Sequence, residues 1–212
     1  LGPRERRERE REEIRTKILD AARELFASEG VESVTMRRIA DRIEYSPTAI
    51  YFHFRDKDAL LAELCDHDFR EFAHQFTALA AIADPLERLR AVGHAYIDFG
   101  FRNRSHYRLM FMTPRANASR DSQLAKGNPE EDAYAFVKSI LVEAIAAKRL
   151  RAELTDADLL TQVIWSGVHG VISLEIAKAS DEWVEWRPIA ERAKLAIDMM
   201  VRGITCGVAK EQ

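Results

Sequence analysis

The sequence predicts an all-α chain of about nine helices. Three observations carry that reading. Apolar residues recur at three- and four-residue spacing along most of the length. Pairs suited to opening a helix punctuate the chain, notably Ser46-Pro47 and Asp84-Pro85, in which the first residue can accept a backbone N–H bond and proline needs no donor. No alternating apolar pattern of strand length occurs, and no internal repeat.

The elements follow in order. Residues 4–28 read as one long helix, with Ile14, Ile18, Ala22, Leu25 and Phe26 on a shared face. Its first third, RERREREREE, sets opposite charges four apart, as in Glu5–Arg9, which supports an exposed helix. Gly30 suits its C-terminal stop. Ser33 or Thr35 can cap a second helix running to about Ile43, with Met36, Ile39 and Ile43 inward. Ser46 and Pro47 open a very short helix. Asp56 begins a long one carrying Leu60, Leu61, Leu64, Phe69, Phe72 and Phe76. A break at Ala83-Asp84-Pro85 precedes a helix with Leu86, Leu89, Val92, Tyr96 and Phe99 inward. A shorter aromatic and Met-rich helix covers about 105–112. Residues 113–129 lack periodicity and read as a loop. Helix returns over 130–148. Thr155 and Asp158 resemble a capping box for a helix reaching about Ala179. A loop with Trp183 and Trp186 leads to a last helix from Pro188, with Ile189, Ala193, Ala196, Ile197, Met200 and Ile204 on its apolar side.

Composition excludes several classes. Of 212 residues, 47% are apolar, enough for a substantial core, and 32% are charged. No uninterrupted run approaches the ~18 apolar residues of a membrane span, and no signal-peptide pattern is visible. Cys65 and Cys206 stand far apart with no Cys-x-x-Cys, so reduced thiols and a cytoplasmic location are expected. Six histidines include His67 and His74 on one helix face, yet no spacing typical of a metal site occurs. Catalytic Ser/His/Asp or Cys/His sets, Gly-rich phosphate loops and a pair of Glu-x-x-His motifs are all missing. The chain is therefore expected to be no enzyme and to need no cofactor or metal. Net charge is −3, and residues 1–60 balance 13 Lys/Arg against 13 Asp/Glu. Nucleic-acid binding would thus require local placement of cations such as Arg37, Arg38, Arg42, Arg55 and Lys57 rather than a basic domain.

The stretch IADRIEYSPTAIYFHFRDKDALL, residues 39–61, has that character. It reads as a helix end, a tight turn, a brief helix and the start of a long helix. Thr48, Tyr51 and His53 surround the brief helix, while Ile50 and Phe54 are spaced to face a core. A short polar helix braced by a preceding one is the geometry that enters a DNA major groove.

Ile18, Ala21, Ala22, Leu25, Phe26, Gly30, Thr35, Ile39, Ala40, Ser46, Ile50, Tyr51, Phe54, Lys57 and Leu60 together resemble the TetR family of transcriptional regulators over about residues 14–61. In the C-terminal half, WSGVHG with Trp165, His169 and Gly170 resembles a subgroup named for a Trp-His-Gly signature. The family resemblance implies a helix-turn-helix DNA-binding domain at 1–60, with a charged N-terminal arm, and a helical ligand-binding and dimerisation domain at 61–212. It implies a one-component repressor that binds a near-palindromic operator as a homodimer and is released by a small apolar effector. The alternative is a similar regulator controlled by a protein partner, with no ligand cavity. Departures from the family pattern are Glu44 where glycine is usual in the turn, Tyr45 where a smaller aliphatic is usual, and Thr48 where glycine is frequent. A non-glycine at a left-handed turn position costs about 1 kcal/mol.

The DNA-binding candidates are Thr35, Arg37, Tyr45, Ser46, Thr48, Tyr51, His53 and Lys57. Tyr51, His53 and Lys57 suit phosphates, and Tyr45 and Thr48 suit base edges or thymine methyls. Phe72, Phe76, Tyr96, Phe99, Tyr107, Phe111, Phe136, Trp165 and His169 are candidates for an apolar effector site. Most large apolar groups must be core, and periodicity does not separate the two roles. The last two helices, about 159–179 and 189–208, are expected to form the dimer seam, with Gly167, Gly170, Ala177, Ala193, Ala196 and Gly203 allowing close approach.

Overall fold

A computed structural model describes residues 2–113 and 124–206. Among them stand nine α-helices: α1 (Pro3–Glu29), α2 (Met36–Arg42), α3 (Pro47–His53), α4 (Lys57–Thr77), α5 (Pro85–Arg102), α6 (Arg104–Tyr107), α7 (Ala133–Ala146), α8 (Ala157–Lys178) and α9 (Ile189–Ile204). A 3₁₀ turn, Ala78–Ala81, ends the path of α4, and a π-helical turn, Arg108–Met112, extends α6. The one β feature among the described residues is an isolated antiparallel bridge between Leu150 and Thr205. The fold is all-α. The chain forms two compact units, one of Leu1–Asp68 with Ser105–Gln123, the other of Phe69–Arg104 with Leu124–Gln212.

The first unit is built on α1. Ile18, Ala21, Ala22, Leu25 and Phe26 are buried at helical spacing. Met36 and Ile39 of α2, Ile50 of α3, and Leu60, Leu61 and Leu64 of α4 complete the core, with Tyr107 of α6 and Leu109 and Met110 of the turn after it. Asp68 lies in this interior at 2% exposure. Its Oδ1 accepts from Arg23 at 3.0 Å and lies 3.2 Å from Nδ1 of His106. Burial opposes ionisation of Asp68, but the hydrogen bonds and positive charge of His106 and Arg23 outweigh it and hold the carboxyl below its usual range.

The second unit packs α5, α7, α8 and α9 together. Leu89 and Val92 of α5, Ile140 and Leu141 of α7, Ile164, Val168 and Ile172 of α8, and Ile197 and Val201 of α9 are buried. Glu175, nearly buried, accepts from both Arg104 and Arg192. Arg90 of α5 reaches Asp198 of α9 at 2.5 Å. Gly167 permits the close approach of α8 to α9, since a Cβ there would lie 2.2 Å from Met200 Sδ. Gly167 and buried Ala193 thus serve packing within the chain.

Several boundaries differ from the sequence reading, each for a local reason. Asp156, rather than Thr155, caps α8 by accepting the Leu159 N–H at 3.0 Å. Asp158 is instead held by Lys138 and Tyr134. α7 begins at Ala133 because Asp132 accepts the N–H groups of Tyr134 and Ala135. Part of the expected 113–129 loop, and Val208 of the expected last helix, lie outside the described residues. α8 is also apolar enough to cross a membrane by length and composition, with mean hydropathy 1.3 over an 18-residue window. Its sequence hides this because Asp158, Gln162, His169 and Glu175 interrupt the run. One of its faces is buried in the unit, and Leu159, Val163 and Leu174 are exposed on others.

Asp68→Asn should destabilise the protein by roughly 3 kcal/mol, because it removes the buried carboxylate that the half-buried Arg23 and His106 share. A carboxyl with a lowered pKa stabilises the fold above its unfolded value, near 3.9, and loses that contribution as pH falls through the folded value. Denaturant titrations of parent and variant should therefore differ at neutral pH and converge in acid below about pH 4. An equal difference at all pH values would refute this account of Asp68.

Candidate nucleic-acid interface

α3 has only seven residues, too few to hold itself in water, so its shape comes from caps and packing. Ser46 accepts the Ala49 N–H at 3.2 Å, and Pro47 occupies the first turn. Ile50 is fully buried and Phe54 is 3% exposed, anchoring the helix to the core. At its C-terminal end, Arg15 of α1 donates to the His53 carbonyl at 3.2 Å and to Glu63 at 2.7 Å, and lies over the Phe54 ring. α2 is capped by Thr35, whose hydroxyl accepts the Arg38 N–H at 3.1 Å. The turn between α2 and α3 closes through Tyr45 N–H to the Ala40 carbonyl at 3.0 Å. Glu44 sits in that turn with φ of 61°, the left-handed backbone that a glycine would adopt more easily.

The sequence-predicted DNA residues divide by what they do here. Thr48 and Tyr51 of α3 are exposed, and Tyr45 is half-buried beside them. Arg37 is exposed and makes no ion pair among the described residues. Arg38 and Arg42, by contrast, are paired with Glu29 and Glu24. Thr35 and Ser46 are engaged as caps. Lys57 Nζ donates to the Val31 carbonyl at 2.9 Å, which places it at the start of α4. His53 is half-buried, and its Nδ1 has no partner. Burial, followed by the charges of Arg11 and Arg15, lowers its pKa, so a neutral ring is favoured near pH 7.

Phe52 was missed by the sequence reading. It is 71% exposed on α3, near Thr48 and Tyr51. Its neighbours give the signal. Ile50 and Phe54 take the inward positions, so a third large apolar residue two before Phe54 must face outward. Arg11 lies over its ring at 5.4 Å.

The predicted effector residues do not all come together. Phe72, Phe76, Tyr96, Phe99 and Phe136 form an aromatic cluster in the second unit, with Phe72 4.8 Å from Phe76 and Phe99 and 5.3 Å from Tyr96. Phe76 lies 6.0 Å from Phe136. Trp165, partly exposed, donates Nε1–H to the Tyr96 hydroxyl at 2.9 Å. His169 is half-buried, and burial lowers its pKa. Tyr107 and Phe111 lie 4.7 Å apart, with tilted rings, in the first unit instead. Helical periodicity showed that all of these were large and mostly inward, but not which interior each enters.

A seven-residue helix braced by α1, α2 and α4, and presenting Thr48, Tyr51 and Phe52 outward, defines a helix-turn-helix DNA-binding protein. Comparison with known proteins agrees. Residues 18–64 match the family of bacterial regulatory proteins, tetR family, and residues 89–200 match the tetracyclin repressor-like C-terminal domain. The chain belongs to the TetR family of transcriptional regulators and is not an enzyme. Neither match singles out the Trp-His-Gly subgroup. The transcriptional activator FasR of Mycolicibacterium smegmatis is 36% identical over 102 residues, 48% of this chain and 47% of its own length. The transcriptional repressor Rv1474c of Mycobacterium tuberculosis is 46% identical over 59 residues, 28% of this chain and 32% of its own. The chain spans less than half the length of the curated relatives it matches. The solved structure of the fatty acid degradation regulator FadR from Bacillus halodurans superposes with a TM-score of 0.72 over 99% of this chain and 98% of its own, at 15% identity, which speaks for the fold alone.

Glu44→Gly should stabilise the first unit by about 1 kcal/mol, through relief of the left-handed backbone. Thermal unfolding reads this directly, and a lowered midpoint would show that the Glu44 side chain contributes more than the strain costs.

Proposed function

We propose that the chain is a one-component repressor that binds a near-palindromic operator as a homodimer and releases it on binding a small, apolar effector. The observation that carries the DNA side is the outward face of α3, rigidly backed through Ile50, Phe54 and Arg15. Tyr51, His53 and Lys57 contact phosphates, Tyr45 and Thr48 contact bases, and Thr35, Arg37 and Ser46 flank the backbone. The DNA-binding domain covers residues 1–60 and the effector and dimerisation domain 61–212, with the division inside α4. A chromosomal target places the protein in the cytoplasm.

The dimer rests on unpartnered apolar faces. Leu159, Val163 and Leu174 of α8, and Leu195 and Met199 of α9, are each about half exposed or more. A Cβ at Gly170 or Gly203 would meet nothing within 4 Å. Two such helices from each protomer make a four-helix seam that removes this surface from water. The effector site is the aromatic cluster around Phe72, Phe76, Tyr96, Phe99 and Phe136, with Trp165 and His169 at its margin. Phe72 lies on α4, the helix that begins at Lys57, so an effector that parts these rings acts on the helix leading out of the DNA-binding domain. It works only through different affinities for two arrangements.

Selection of duplexes from a random library should return a sequence with two-fold symmetry and half-sites about one helical turn apart. Thr48→Ala should alter the selected bases, whereas Tyr51→Phe should weaken all sequences alike. Transcription in vitro from a promoter overlapping that sequence should fall when protein is added. Unsymmetrical selected sequences, or stimulated transcription, would overturn the dimeric or the repressing part of this reading.

Leu195→Glu with Met199→Glu should give monomers in sedimentation at micromolar concentration while leaving helix content unchanged. A parent protein that sediments as a monomer would refute the seam. Phe99→Ala should blunt release from DNA by an apolar effector with ligand-free binding retained. An effector whose potency is unaffected would place the pocket elsewhere, and regulation without any small molecule would favour a protein partner.

A further inference from the structure

The N-terminal third of α1 looks neutral when read along the chain, but the helix sorts its charges. At 3.6 residues per turn, Arg4, Arg7, Arg11 and Arg15 fall along one face, with Glu8 at its edge, and Arg6, Arg9 and Lys17 along another. The first face is the one that meets α3. Arg7, Arg11 and Ile14 line a groove of about 480 Å³ with Tyr45, Phe52 and His53. Glu10 also borders it, and its carboxylate is engaged by Arg6 at 2.9 Å. Arg15, at the inner end, is consumed by Glu63 and the His53 carbonyl. Arg4, Arg7 and Arg11 are exposed and make no ion pair among the described residues. The Arg11 guanidinium lies 5.4 Å over the exposed Phe52 ring, and that ring meets His53 edge-on at 5.5 Å.

Unneutralised guanidiniums beside an exposed recognition helix, around an apolar floor, are complementary to a polyanion with an apolar sugar and base edge. From Arg4 to Arg11 the helix rises about 10 Å, near three base steps of one strand. We propose that the arginine face of α1 is a second DNA-contacting surface, gripping phosphates of the same duplex that α3 reads, with Phe52 as a positioning residue that holds Arg11 over the groove. This rests on the assignment of α3 to DNA. It explains how a domain with no net positive charge gathers cations at one place, and why a bare phenylalanine stands on a polar helix.

The test uses the full chain and the duplex that the parent protein selects from a random library. Arg7→Ala with Arg11→Ala is compared with Arg9→Ala and Lys17→Ala, which removes the same charge from another face. The first pair should flatten the dependence of log affinity on log salt by about 2 per protomer. The second pair should leave it close to the parent value. Phe52→Leu should weaken binding, the loss should shrink when Arg11 is already alanine, and Phe52→Tyr should restore it. Equal effects of the two double substitutions would reduce the surface to bulk charge and overturn the proposal. An unchanged salt slope for Arg7→Ala with Arg11→Ala would overturn it too, and would mean that the groove takes something other than DNA. Strictly additive effects of Phe52→Leu and Arg11→Ala would remove the positioning role. Failure of the parent to select any duplex would instead defeat the DNA reading of α3 itself.

Discussion

Arg15 joins three things that the DNA-binding unit requires at once. Its guanidinium satisfies the carbonyl of His53 at the end of α3, pairs with Glu63 on α4, and covers the ring of Phe54. A helix of seven residues cannot order itself, so its outward residues have fixed positions only if both ends and the inner face are held from outside. Ser46 secures the start, Ile50 the middle, and Arg15 the end. Every property assigned to Thr48, Tyr51 and Phe52 depends on that external bracing, because base contacts demand positions good to fractions of an ångström.

The same unit shows why net charge is a poor guide to nucleic-acid binding. Thirteen cations and thirteen anions occupy residues 1–60. Folding then spends many of the cations on structure. Arg15, Arg23, Arg38 and Arg42 are taken up by Glu63, Asp68, Glu29 and Glu24. Arg37 and, on α1, Arg4, Arg7 and Arg11 make no ion pair among the described residues. The local field near α3 is set by which cations are left over, and ion pairing decides that only after the chain has folded.

In the second unit the governing constraint is excess apolar surface. α8 is apolar enough to resemble a membrane helix, yet it packs one face against α5, α7 and α9 and carries Glu175 between Arg104 and Arg192. What remains outside, on α8 and α9, is too regular in spacing to be scattered surface. The aromatic cluster fills this interior with rings that meet edge-on.

The sequence by itself determined the elements and the reading motif. Periodicity located the helices. Ser46-Pro47 and Asp84-Pro85 located two starts, and the spacing of Ile50 and Phe54 set the inward face of α3. These are local properties, governed by turns, caps and the 3.6-residue period, so a linear string suffices to read them. Tertiary structure decided matters that depend on residues far apart in the chain. It sent Tyr107 and Phe111 to a different interior from Phe72 and Phe99, and left Phe52 outside under Arg11. It also paired Asp68 with Arg23 and His106, residues 45 and 38 positions away. Such pairings are settled by competition among many possible partners for burial and counter-charge, and the outcome of that competition exists only in three dimensions.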